Sequence, residues 1–97
     1  MKWFLLVEGP QGSGKTTLIQ TVSKGSPNLA LWVSVAKLNE QQVRSLKNRI
    51  VQAITHGNDV LLESVDGADL EPYVKLAEEA QAQARYIYAR VQCKVEQ

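Results

Sequence analysis

The chain has 97 residues, with 11 Lys and Arg against 10 Asp and Glu, a formal charge of +1, and 44% hydrophobic content. This is enough for one domain near the small end of what a doubly wound sheet can manage, with ordinary core material and no electrostatic footprint for nucleic acid. Cys93 is the sole cysteine, which excludes an intrachain disulfide and a thiolate metal cluster.

Strand 1 is predicted at about 3–8, where Trp3-Phe4-Leu5-Leu6-Val7 forms a short apolar run of buried-strand type. The run ends after five residues at Glu8, too soon for an export signal. No stretch approaches the ~20 apolar residues of a membrane span. Together these predict a cytoplasmic protein with no membrane partner.

Residues 9–16, Gly9-Pro10-Gln11-Gly12-Ser13-Gly14-Lys15-Thr16, match the phosphate-loop pattern G-x-x-x-x-G-K-[ST], with Thr17 continuing into a helix. The chemistry requires these residue types. Glycines let the backbone bring N–H groups close to phosphate oxygens, and the start of helix 1 points unpaired N–H groups and its dipole at the anion. Lys15 supplies a mobile charge for the β- and γ-phosphates, and Thr16 a hydroxyl ligand for Mg²⁺. A plain glycine-rich turn would need neither Lys15 nor Thr16.

Helix 1 is predicted at about 15–24 and ends at the breaker cluster Gly25-Ser26-Pro27-Asn28. Strand 2 is 29–35. Helix 2 is about 40–56, capped by Asn39, with Val43, Leu46, Ile50 and Ile54 at helical spacing. His56-Gly57-Asn58 closes it, with Gly57 at C′ and His56 as a helix-end cap or charge rather than a catalytic group. Arg44, Lys47, Asn48 and Gln52 form the polar side of helix 2, either solvated or an anion-binding stripe.

Strand 3 is 59–65, apolar until Glu63, followed by the Asp66-Gly67 turn and helix 3 at about 69–84. Strand 4 runs from Tyr86 to about Val91 or Val95. There Ile87, Ala89 and Val91 alternate with Tyr86, Tyr88, Arg90 and Gln92, so only one face need be apolar. This pattern suits an edge strand, and such an edge can also pair with another subunit as a homodimer. The order βαβαβαβ with short loops predicts an α/β fold: three layers, with four mostly parallel strands and three helices. Ligands of such sheets bind beyond the carboxyl ends of the strands, where residues 9–16 and 63–66 both fall.

A Mg²⁺–nucleotide site usually needs a carboxylate at the end of a second buried strand, and Glu63 has that position; its alternative is a solvated strand-end acid. Asp66 reaches the ion or serves its turn, the turn being preferred. Glu8 orients a substrate or water, or lies against the positive end of a neighbouring helix.

These residues resemble the small P-loop kinases of the nucleoside, nucleotide and polynucleotide 5′-kinase type. Phe4–Gly9 leading into Gly12–Thr17 is similar to the opening of thymidylate and deoxynucleoside kinases. Residues 53–63 and 71–77 look more like the second acidic strand of polynucleotide-kinase-type ATPases and the helix after it. The resemblance implies a P-loop NTPase-like fold, ATP (or GTP) with Mg²⁺, Lys15, Glu63 and Glu8 as catalytic candidates, and Thr16 with Glu63 at the metal.

Two features of that family are missing. The stretch Ser34–Leu38, where an acid activates the acceptor hydroxyl, has no carboxylate until Glu40. The arginine-rich lid after helix 3 is replaced by Ala82-Gln83-Ala84-Arg85. Three functions follow as expectations: slow hydrolysis or phosphoryl transfer, a non-catalytic nucleotide-binding or protein-interaction module, or a competent kinase using Glu8 or Glu40 as base.

Overall fold

A computed structural model describes residues 2–10 and 12–94. Strands β1 (Trp3–Glu8), β2 (Leu29–Val35), β3 (Asp59–Ser64) and β4 (Ile87–Gln92) alternate with helices α1 (Lys15–Lys24), α2 (Glu40–Thr55) and α3 (Glu71–Ala84). The strands form one sheet in the order β2-β3-β1-β4, and every pairing is parallel. Right-handed crossovers then place α1 on one face and α2 with α3 on the other.

The core follows this asymmetry. Phe4, Leu6, Val60 and Leu62 pack against Leu46 and Ile50 of α2 and Tyr73, Ala77 and Ala80 of α3. On the opposite face Val7 and Leu61 pack against Ile19 of α1. β3 is flanked on both sides and covered on both faces, which is why Val60-Leu61-Leu62 is an unbroken apolar run with no exposed atoms. The chain is α/β with three layers, as its periodicity predicts.

Local chemistry sets the element ends. Asn39 Oδ1 accepts from the Gln42 N–H at 2.8 Å while Gln42 Oε1 accepts from the Asn39 N–H at 3.0 Å, a complete capping box for α2. At the other end the His56 Nδ1–H donates to the Gln52 carbonyl at 2.7 Å. α3 starts at Glu71 rather than 69, because Asp69 Oδ1 accepts the Glu71 N–H from outside the helix. β4 starts at Ile87 rather than Tyr86, whose N–H bonds back to the Ala80 carbonyl to close α3. It ends at Gln92, and Val95 lies outside the described residues.

β4 also corrects the expected facing. Tyr86 and Tyr88 join the core beneath α2 and α3, whereas Ile87 is 47% exposed and Ala89 is exposed. The aromatic side of the strand is the covered one, because α3 lies over it while α1 packs against residues of β1, β2 and β3. Among the described residues no helix is long and apolar enough to cross a membrane.

Candidate functional site

Parallel pairing brings the carboxyl ends of all four strands to one edge, so the loop after β1 stands beside the segment after β3. In that loop Gly9 is required by close approach. A Cβ there would lie 2.5 Å from the Cys93 carbonyl oxygen and 2.8 Å from Ser13 Oγ. Gly12 and Gly14 have φ of +80° and +87°, a region that L side chains avoid, and nothing lies within 4 Å of where their Cβ atoms would be. The Ser13 N–H donates to the Pro10 carbonyl at 3.3 Å, and the Leu18 N–H to that of Gly14 at 3.1 Å, which folds the loop into α1.

The start of α1 contrasts with that of α2. No side chain caps it, and its first turn carries no acid. Its leading N–H groups are therefore open to an anion. Among the described residues the buried Ser13 Oγ has no hydrogen-bond partner, an orphan donor inside the loop.

The Lys15 ammonium donates to the Ser64 carbonyl at 2.6 Å, which ties the loop to the end of β3. Glu63 Oε1 accepts from the Ser34 hydroxyl at 2.7 Å, an orienting contact from β2. Gly12, Gly14, Lys15, Thr16, Glu63, Val65 and Asp66 line one open cavity of about 370 Å³. Residues 48 positions apart in sequence, Lys15 and Glu63, thus share a chamber with Thr16.

Glu8 and Pro10 face a neighbouring cavity of about 510 Å³, shared with Gly9, Ser64, Asp66 and Lys94. Glu8 is not free there. Its carboxylate accepts from Arg90 Nε, and Arg90 Nη1 reaches Glu71 at 3.0 Å. Both carboxylates raise the guanidinium pKa further above its ordinary range and keep it charged. Thr17 is exposed on α1, its carbonyl accepting from Thr21 Oγ1. Gln11 lies outside the described residues. Glu40 occupies the first turn of α2 and lines neither cavity.

Two participants escape sequence reasoning, and a third, Asp66, is read with the turn preferred over the ion. The Ser64 carbonyl is a backbone atom with no residue-type signal. The Ser34–Glu63 contact depends on the β2–β3 register, in which these two residues are opposite. Asp66 does lie in the turn, with φ +54°, but its side chain also borders both cavities. The Asp-Gly pair was the available signal, and it is read more easily as a turn.

Comparison of the chain with protein-family models, curated proteins and solved structures found no significant match.

Proposed function

We propose that residues 9–16 bind the phosphate chain of a nucleoside triphosphate, with ATP foremost and GTP as the alternative, together with Mg²⁺. The carrying observation is the convergence of an uncapped helix start, left-handed Gly12 and Gly14, Lys15 and Thr16 on one open chamber that also holds Glu63. The helix start offers donors that no side chain caps, Lys15 is held by one backbone carbonyl, and a polyphosphate offers acceptors to both.

The donor set fits the metal as well. Mg²⁺ is usually held by one or two protein oxygens plus water and substrate phosphates, so a threonine hydroxyl and one carboxylate are sufficient. When bound, Mg²⁺ neutralises charge on the phosphate oxygens. Thr16 and Glu63 are the residues that would hold it, Glu63 directly or through water.

Lys15 exchanges the Ser64 carbonyl for phosphate oxygens and stabilises charge developing during transfer. The Ser34 hydroxyl holds Glu63 in one orientation. Among the described residues no lid follows α3, so water exclusion is poor and turnover to water or an acceptor is slow. The ion pair of Glu8 with Arg90 favours a second reading, a non-catalytic nucleotide-binding module, because it removes the acid nearest the loop from base duty.

Titration with ATP and GTP in Mg²⁺, followed by turnover assays, tests the proposal. Micromolar binding lost on Lys15→Ala supports it. Absence of binding below millimolar, or unchanged binding in that variant, rejects it. Binding without turnover selects the module.

A further inference from the structure

The two edges of the sheet are built differently. β2 carries a register irregularity between Leu29 and Leu31, the kind of distortion that blunts an edge. β4 has none: it keeps unbroken register with β1 over six residues, from Trp3↔Ile87 to Glu8↔Gln92. Nor is it guarded by charge. Arg90 is its sole charged residue, and its head group is taken up by Glu8 and Glu71. Neither lysine nor proline occurs in Ile87–Gln92.

The free backbone groups can be assigned. The Ile87 N–H donates to the Lys2 carbonyl and the Cys93 N–H to that of Glu8, so the odd-numbered residues point their main chain at β1. By the period of two, Tyr88, Arg90 and Gln92 direct their N–H and C=O groups outward. Among the described residues no strand meets them.

We propose that a second copy of this chain covers the edge, β4 against β4, antiparallel about a two-fold axis at Ala89. Because only even-numbered residues offer outward groups, hydrogen-bonded pairs must join even residues, which leaves few registers. Centring on Ala89 makes Tyr88 and Arg90 exchange hydrogen bonds with Arg90 and Tyr88 of the second copy. Ile87 then lies opposite the second Val91, and Ala89 opposite itself, as a continuous apolar row. Sliding by one pair in one direction sets Arg90 directly against Arg90, crowding two long side chains whose head groups Glu8 and Glu71 already hold in place. Sliding in the other sets Val91 against Arg85 and breaks the row. The strand is therefore self-complementary in one register, as an isologous interface requires.

The result is an eight-stranded sheet from two copies, each contributing its four strands. It brings exposed Ile87 and Ala89, with half-buried Val91, into lateral contact beside Trp3 and Leu5 of β1. It does not depend on what residues 9–16 bind.

Sedimentation velocity over a concentration series, with site-specific crosslinking, tests the proposal. The wild-type chain should form a dimer, and Ala89→Arg should return it to monomer with an unchanged circular dichroism spectrum. In a Cys93→Ser background, Ala89→Cys should oxidise to a covalent dimer, since facing residues of a non-hydrogen-bonded pair lie close enough for a disulfide. Ile87→Cys should not. A wild-type monomer up to millimolar concentration overturns the proposal, as does a dimer indifferent to Ala89→Arg or crosslinked equally well at both positions.

Discussion

Lys15 and Gly9 set the sharpest expectations at the scale of single residues. Lys15 is only half-buried and is tied to the fold through one backbone carbonyl, so its removal should cost little stability and most of the nucleotide affinity. The expected result for Lys15→Ala is a midpoint of unfolding within the equivalent of about 0.5 kcal/mol of wild type. Gly9→Ala should behave oppositely. Its new methyl meets the Cys93 carbonyl, a backbone atom that cannot swing aside, so the end of β4 or the loop must shift. Chemical denaturation should show a loss of about 1–3 kcal/mol, the usual scale for overpacking. Asp59 is a third sensitive residue: buried, it accepts the Trp3 N–H at 3.0 Å and the Ser26 hydroxyl, joining β3 to β1 and to the turn before β2. Its role went unread because a carboxylate at a strand start looks like any solvated turn acid. Lys15, Thr16 and Glu63 were legible because their spacing is chemical, whereas the partner of Lys15 is a main-chain atom and left no trace.

Individual elements owe their limits to a few polar contacts. The reciprocal Asn39–Gln42 cap satisfies two N–H groups at the start of α2, so Asn39→Ala should destabilise the protein by about 1 kcal/mol in denaturant titrations, with nucleotide binding unaffected. α3 contributes a pH limit. Tyr73 is 1% exposed, and burial first, then the charge of Asp69, raises its phenol above the ordinary 10.0. Burial and Asp59 raise Tyr86 in the same way. A group whose pKa is raised by folding favours the native state while protonated, so this contribution is complete below pH 10 and is lost as pH climbs through the raised values. Thermal unfolding followed from pH 8 to 11 should show a fall in midpoint above about pH 10, and Tyr73→Phe should make it shallower. Helices and strands were readable from period alone. The covered side of β4 was not, since its two faces carry comparable apolar content, and only the shared crossover side of α2 and α3 decides between them.

Across the whole molecule, the fold and the candidate site arise from one topological fact. Placing β1 directly beside β3 sets the loop of the first strand against the acid of the third, and Ser34 on β2 reaches that acid by the same register. The alternation of strands and helices foretold a parallel α/β sheet but not its order, because order depends on tertiary packing among strands of similar apolar content. The same topology leaves α1 alone on its face and, among the described residues, the β4 edge without a partner strand. If the loop binds nucleotide, ligand and fold are linked. At a hundredfold excess over the dissociation constant the native state gains about 2.7 kcal/mol, a rise of ~10–20 °C in the unfolding midpoint of a domain this size. The most direct test is calorimetric titration of the wild-type chain and Lys15→Ala with ATP, with and without Mg²⁺. The account predicts saturable 1:1 binding in the micromolar range, weakened by removal of Mg²⁺ and abolished in the variant. Equal heats from wild type and variant, or no binding below millimolar ATP, would contradict it.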